Sequence, residues 1–202
     1  MSLVCGILAG GQSSRMGQPK EGLILPDGRP LMAFLFDLLK PIVSEVYVVG
    51  ASRGFEPAQV PGLRHLPDRE PGLGPMGGLR TLLESGTATR YLLVTCDQPR
   101  LTRGLLDVLI QESPPDRPAF LQTQSGQSLA PFPSLWPEAT LAAVRDAMER
   151  GERSPRRLLR ELNAVACVAP VGAELLVQSV NTPGEWEVYL TQRGKEAKAQ
   201  RV

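Results

Sequence analysis

The sequence predicts an α/β protein of three layers, with helices on both faces of a mostly parallel central sheet in a Rossmann-like arrangement. Two observations lead to this prediction. Over about the first 110 residues, short apolar runs alternate with segments of helical spacing, the pattern of parallel strands joined by crossover helices. The apolar runs also end in glycine-rich or acidic loops, and ligands of such sheets bind beyond the carboxyl ends of the strands.

The elements of the first half follow from apolar periodicity and from helix breakers. Continuous apolar runs predict three strands, over residues 3–8, 43–50 and 90–95. Leucines at helical spacing predict three helices, over residues 30–40, over residues 79–84 and from the N-cap Thr102 through Ile110. The glycines of residues 71–78 predict a loop before the second of these helices, and residues 65–67 are too short for a prediction of their own.

The second half is less regular. Strands are predicted over residues 119–122 and 164–168, and an amphipathic helix over residues 137–150. Two prolines in residues 128–134 limit that segment to an edge strand at most. Two further helices are predicted from their start signals, an N-cap with proline at Ser154-Pro155 and a capping box from Thr182 to Glu185.

Composition indicates one globular domain and excludes several classes of protein. The 202 residues are 42% hydrophobic and 21% charged, which excludes disorder of the whole chain. Since the net charge is only +1, no global field attracts nucleic acid or an anionic membrane, and we expect neither as a partner. The 3 cysteines lie in apolar runs without zinc or redox spacing, so we interpret them as core residues of a cytoplasmic protein.

The most informative segment is the loop after the first predicted strand, which begins at Gly10-Gly11. Glycines leave backbone N–H groups open to a phosphate, and the hydroxyl of Ser13 adds a donor. Arg15 and Lys20 carry the positive charge that phosphate oxygens require. These features predict a polyphosphate site, although an ordinary turn with two solvated cations remains the alternative. The spacing of a Walker A loop is absent.

Two carboxylates offer further chemistry. Asp97 ends an apolar strand, where it is either a magnesium ligand or the cap of the turn before Pro99. Asp68 precedes the glycine-rich residues 71–78, and a carboxylate there can accept hydrogen bonds from the N1–H and the amine of guanine. A flexible surface loop is the alternative for this segment. The single histidine, His65, is interpreted as structural or solvated.

Four strings in this chain resemble the molybdenum cofactor guanylyltransferase family of the nucleotidyltransferase superfamily. They are LAGGQSSRMGQPK at residues 8–20, PDREPGLGPMGGL at 67–79, VTCDQP at 94–99 and VNTPGEW at 180–186. The resemblance implies one nucleotidyltransferase domain over residues 1–202, with a nucleotide-binding half over about 1–112 and an acceptor-binding half over about 113–193. It implies transfer of GMP from GTP to the terminal phosphate of molybdopterin or its molybdenum-bound form.

The resemblance also assigns roles to individual residues. It implies catalytic roles for Arg15, Lys20 and Asp97, acceptor binding by Asn181, and Mg²⁺, with Mn²⁺ as the alternative ion, at Asp97. The implied nucleotide-binding residues are Leu8, Ala9, Gly10, Gly11, Ser13, Lys20, Asp68, Gly77, Gly78 and Asp97. Two departures bear on the acceptor: Ser179 replaces a frequent second asparagine, and residues 127–131 carry no charge.

Other functions are also compatible with these residues. The LAGG string favours a guanylyl enzyme over cytidylyl relatives, which usually read LAAG. A cytidylyltransferase, a nucleotidyltransferase with another small phosphorylated acceptor, and a non-catalytic nucleotide-binding relative are the alternatives. Other proteins of cofactor biosynthesis and chaperones of molybdoenzymes are the protein partners that the resemblance suggests.

Overall fold

A computed structural model describes residues 2–10, 16–129 and 131–199, with side chains described as far as residue 193. Within these ranges, one sheet of seven strands runs through the molecule in the order β3-β2-β1-β4-β6-β5-β7. The strands are β1 Leu3–Ala9, β2 Glu45–Gly50, β3 Leu63–Leu66, β4 Arg90–Thr95, β5 Ala119–Gln122, β6 Ser134–Pro137 and β7 Val165–Val168.

Helices cover both faces of this sheet. They are α1 Leu31–Leu39, α2 Gly74–Leu83, α3 Arg103–Glu112, α4 Leu141–Glu149, α5 Pro155–Glu161, α6 Ala173–Leu176 and α7 Pro183–Ala199. The side chains of β4 alternate between two cores, since Leu92 packs with α1, α3 and α7 and Leu93 packs with α2, α4 and α5. The predicted three-layer α/β/α arrangement is confirmed.

The pairing of the strands identifies where a ligand can bind. β1 pairs in parallel with β2 on one side and with β4 on the other, and β2 pairs in parallel with β3. The chain therefore moves outward from β1 to β3 and resumes across β1 at β4. At such a reversal the loops after adjacent strands separate and leave a crevice, the usual ligand site of an open α/β sheet.

Residues 128–134 were predicted to be an edge strand at most, and of the described residues in this segment only Ser134 belongs to a strand. The strand in this region is β6, and it lies inside the sheet, antiparallel to both β4 and β5. Both prolines of the predicted segment, Pro131 and Pro133, precede β6, and Pro137 is its last residue, so no proline interrupts the middle of the ladder. Trp136, fully buried opposite Tyr91, supplies the apolar surface that a central strand needs.

The glycine-rich segment also differs from its prediction. α2 begins at Gly74, so the second half of the predicted loop is the first turn of a helix. Pro75 suits this position because the first turn of a helix needs no N–H from it. Among the described residues, no helix is long and apolar enough to cross a membrane.

Candidate active site

A cleft of about 830 Å³ lies at the carboxyl ends of β1, β2, β3 and β4. It is lined by Leu8, Ala9, Gly10, Lys20, Glu21, Val49, Gly50, Ala51, Arg53, His65, Pro67, Asp68, Pro71, Gly72, Gly74, Pro75, Gly78, Thr95, Cys96, Asp97 and Asn181. The volume is that of a pocket for a ligand of nucleotide size. The three loops singled out in the sequence therefore meet at the strand reversal.

Lys20 connects three distant parts of the chain. Its Nζ donates to Asp97 Oδ2 at 2.8 Å and to Asn181 Oδ1 at 2.7 Å. The side chains of Lys20 and Asp97 are only 15% and 17% exposed, so their ion pair is largely shielded from water. Three residues predicted from separate motifs, as cation, metal ligand and acceptor contact, are thus brought together in one cluster.

Asp97 is held in place by two donors. It lies two residues after the end of β4, where Thr95 Oγ1 donates to Asp97 Oδ1 at 2.7 Å and Lys20 approaches Oδ2. The described residues contain no group of three or more His, Cys, Asp or Glu side chains that could enclose a metal. The carboxylate of Asp97 fits a magnesium ion whose remaining ligands are substrate phosphates and water.

Asn181 is oriented by the start of α7. Glu185 Oε2 accepts hydrogen bonds from the N–H groups of Asn181, at 2.6 Å, and Thr182, at 3.1 Å. Thr182 Oγ1 in turn accepts from Glu185 N at 3.3 Å. The predicted capping box is confirmed. Because it fixes the backbone of Asn181, the side chain can point across the cleft to Lys20.

Two glycines form the floor of the cleft where β1 and β2 end. Gly10 has φ +87° and Gly50 has φ +98°, conformations that side-chain-bearing residues rarely adopt. A Cβ on Gly50 would lie 2.3 Å from the carbonyl oxygen of Ala9. The two strand ends therefore approach one another closely and leave bare backbone beside Leu8 and Ala9, which also line the cleft.

Asp68 presents an unused acceptor. Its Oδ1 is buried without a hydrogen-bond partner, although the residue lines the cleft. Burial raises the pKa of Asp68 above its ordinary value, with smaller opposing effects from Thr81, Arg80 and His65. A buried acceptor without a partner costs free energy that a ligand's N–H or O–H can recover.

The two glycines of α2 have different surroundings. Gly78 lines the cleft, and a Cβ there would lie 2.4 Å from Leu8 Cδ2. Gly77 is not among the lining residues, and a Cβ there would lie 2.8 Å from Leu73 Cβ. Gly78 thus allows α2 to approach β1 closely, whereas Gly77 serves packing within the helix region.

Gly11, Ser13 and Arg15 lie outside the described residues, so their roles stay predictions.

The cleft residues that were not predicted from the sequence as site residues include Glu21, His65 and Arg53. Glu21 is buried and accepts a hydrogen bond from Gly10 N at 2.5 Å. His65 lies in β3, and its Nε2 donates to the carbonyl oxygen of Gly50 at 2.8 Å. Arg53 is exposed at the rim, in the loop after β2. Only the position of Arg53 near a strand end could have indicated a role, because the other two depend on long-range pairing.

The cysteines behave as expected. Cys5, Cys96 and Cys167 are all buried and free. Burial raises the pKa of all three thiols, well above the ordinary value for Cys96 and to about 11 for Cys167. Thiols in this state are poor nucleophiles. Cys96 therefore lines the cleft as a small apolar group, and the interpretation of the three as core residues is confirmed.

Comparison with known proteins agrees with this geometry. The family described as MobA-like NTP transferase domain matches residues 5–166. A molybdenum cofactor guanylyltransferase of Pseudomonas aeruginosa is 34% identical over 180 residues, covering 88% of this chain and 89% of the relative. The enzyme of the same name from Pseudomonas fluorescens is 31% identical over 178 residues, covering 88% of each.

Solved structures share the fold at low identity. Molybdopterin-guanine dinucleotide biosynthesis protein A from Archaeoglobus fulgidus superposes with a TM-score of 0.74 at 15% identity, covering 95% of this chain and 99% of that one. A 2-C-methyl-D-erythritol 4-phosphate cytidylyltransferase from Thermus thermophilus gives 0.67 at 16% identity, covering 96% and 98%. Family, fold and cleft together establish that this chain is a transferase of the MobA-like nucleotidyltransferase family.

Proposed function

We propose that this protein transfers GMP from GTP to the terminal phosphate of molybdopterin, or of its molybdenum-bound form, in molybdenum cofactor biosynthesis. The observation that carries the proposal is the contact of Lys20 with both Asp97 and Asn181. This contact joins three parts of the chain: the loop after β1, which begins at Gly10-Gly11 and is called the glycine loop below, the end of β4 and the start of α7. A donor nucleotide and an acceptor bound on the two sides of Lys20 would have their phosphates next to each other.

The reaction suits these residues because it requires no strong base. An anionic oxygen of the acceptor phosphate attacks the α-phosphorus of GTP and forms a new P–O bond. The bond from the α-phosphorus to the bridging oxygen breaks, and pyrophosphate leaves with that oxygen. Among the described residues that line the cleft, no serine or cysteine is paired with a base, and none is needed. Catalysis then depends on alignment and on charge neutralisation.

Lys20 supplies that neutralisation within the described residues. Its ammonium lies inside a shielded cluster, where a positive charge stabilises developing phosphate charge more strongly than it does in water. Asp97 would hold the magnesium ion, which adds positive charge next to the phosphates. Arg15 is a second cation in this proposal, contributed by the glycine loop.

Specificity for guanine rests on Asp68 and on the bare backbone around it. The free Oδ1 of Asp68 can accept a hydrogen bond from a ligand donor, and guanine offers two donors on one edge. Gly10, Gly50 and Gly78 keep side chains away from the base and ribose.

Asn181 would contact the acceptor. The three reduced cysteines favour a cytoplasmic location for the reaction.

The test is a pyrophosphate-release assay with GTP, CTP or ATP, each with magnesium and with or without molybdopterin. We expect release that requires molybdopterin and is fastest with GTP. Faster release with CTP would replace the proposal with cytidylyl transfer to the same acceptor. Binding of GTP without release under any of these conditions would contradict transfer to molybdopterin.

A further inference from the structure

Glu21 is a buried carboxylate that the proposed reaction does not use. It is 2% exposed, and it is the charged member of the buried polar residues within the described ranges. Burying a carboxylate is costly unless a partner compensates for the lost hydration. Among the described residues, no ion pair involves Glu21, and its hydrogen bond comes from Gly10 N–H at 2.5 Å. Such an expensive arrangement suggests a role other than filling space.

The position of Glu21 is set by a closely packed turn. Glu21 lies in the 3-10 turn Lys20–Gly22, whose backbone closes through Leu23 N donating to Lys20 O at 3.2 Å. A Cβ on Gly22 would lie 2.8 Å from the carbonyl oxygen of Gly54, so the turn packs tightly against the segment after β2. The same turn therefore directs Lys20 to Asp97 and directs Glu21 to the end of β1.

The contact is made where the glycine loop leaves the sheet. β1 ends at Ala9, and Gly10 is the next residue, with φ +87°. A glycine in this conformation has no side chain to restrict its rotation, so an external hydrogen bond is an effective way to fix its peptide. Glu21 provides that bond, and it also occupies the N–H of Gly10, which is then not offered to a phosphate.

We propose that Glu21 is a positioning residue for nucleotide binding, which holds the first peptide of the glycine loop through the Gly10 N–H. It acts on the substrate through Gly10 and does not touch it. The inference rests on the proposed function, because it assumes that the loop binds the phosphates of a nucleotide. It adds a residue that links the orientation of this loop to the turn carrying Lys20.

Two variants separate the hydrogen bond from the charge. In Glu21→Gln the amide oxygen can still accept from Gly10 N–H, whereas in Glu21→Leu a side chain of similar size has no acceptor. We expect Glu21→Gln to bind GTP with magnesium within about threefold of wild type. We expect Glu21→Leu to bind about tenfold more weakly, the scale of one hydrogen bond. Isothermal titration measures both, and the amide resonance of Gly10 in glycine-labelled protein reports the bond directly.

A control variant distinguishes positioning from general destabilisation. Leu25→Ala removes a buried side chain, 2% exposed, from the core near this turn without touching the Gly10 contact. It should lower the melting temperature but leave GTP affinity unchanged. Equal losses of GTP affinity in Leu25→Ala and Glu21→Leu would overturn the inference. It would also be overturned if Glu21→Leu bound GTP as tightly as the wild type, or if Glu21→Gln lost as much affinity as Glu21→Leu. Failure of the wild type to bind GTP would refute the proposed function instead.

Discussion

Replacing Asp97 with asparagine separates a metal ligand from a turn residue. The change keeps the shape of the side chain and an oxygen that can accept from Thr95, but it removes the negative charge opposite Lys20. Lys20 retains its second acceptor, Asn181. Because the pair is shielded but not fully buried, its loss should destabilise the fold by about 1–2 kcal/mol. For a chain of this size that lowers the melting temperature by roughly 2–8 °C.

The effect on activity should be much larger than the effect on stability. A neutral amide oxygen is a poor ligand for Mg²⁺, so binding of the ion would then rest on the substrate phosphates and water. We expect turnover at saturating GTP to fall by about a hundredfold or more, the scale for removing one preorganised charge interaction. The magnesium concentration at half-maximal rate should rise at the same time.

The assay is a magnesium titration of pyrophosphate release, with wild type and Asp97→Asn measured side by side. Thermal melting of both proteins shows that the variant is folded under assay conditions. Magnesium curves that overlap would show that Asp97 is not the metal ligand, because a cap or turn residue tolerates asparagine as well as aspartate. The metal ligand would then have to be another residue of the cleft.

Three further predictions concern the cation, the base site and the floor of the cleft. Lys20→Ala should reduce turnover about a hundredfold. The control Lys40→Ala changes a side chain that is 59% exposed and should leave turnover unchanged. An equal loss of turnover in both variants would show that the effect is not specific to Lys20. Asp68→Asn should lower the preference for GTP over ATP in a binding titration. Burial raises the pKa of Asp68, so on acidification this carboxylate is protonated at a higher pH than an ordinary aspartate is. GTP binding to the wild type should therefore weaken as the pH falls through that range. The same pH dependence in Asp68→Asn and in the wild type would contradict this prediction. Gly50→Ala should lower the melting temperature far more than Gly126→Ala. Both glycines have a positive φ, but a Cβ would meet backbone at Gly50 and open space at Gly126. Similar melting temperatures of the two variants would show that the backbone at the ends of β1 and β2 can move apart to accept a Cβ.

The parts of the fold that were predicted correctly are those governed by local pattern. β4 has the predicted boundaries because its continuous apolar residues form a strand that is buried on both faces. β5 also has the predicted boundaries, and its residues alternate between buried and half-buried. The start of α2 and the place of β6 were missed because long-range packing decided both. Glycine has low helix propensity, but the close approach of α2 to Leu8 requires a residue without a side chain at Gly78.

In the candidate site too, residues carried by local motifs were predicted and residues placed by long-range contacts were missed. Lys20, Asp97 and Asn181 were predicted from motifs that follow or flank regular elements. The structure brings Asp97 and Asn181 within hydrogen-bond distance of Lys20. Glu21 was missed because a glutamate between a lysine and a glycine looks like a solvated loop residue. Its burial depends on a partner eleven positions earlier, Gly10, and no spacing in the sequence indicates that contact.

The position of a radioactive label in the products shows whether the α-phosphate of GTP is transferred to molybdopterin. Two samples of GTP, labelled in the α-phosphate or in the γ-phosphate, are incubated with the protein, magnesium and molybdopterin, and the products are separated. We predict that the α-label moves to the pterin product and that the γ-label leaves as pyrophosphate. Transfer of the γ-label to the pterin, or an α-label that stays out of any pterin product while GTP is consumed, would contradict GMP transfer to molybdopterin.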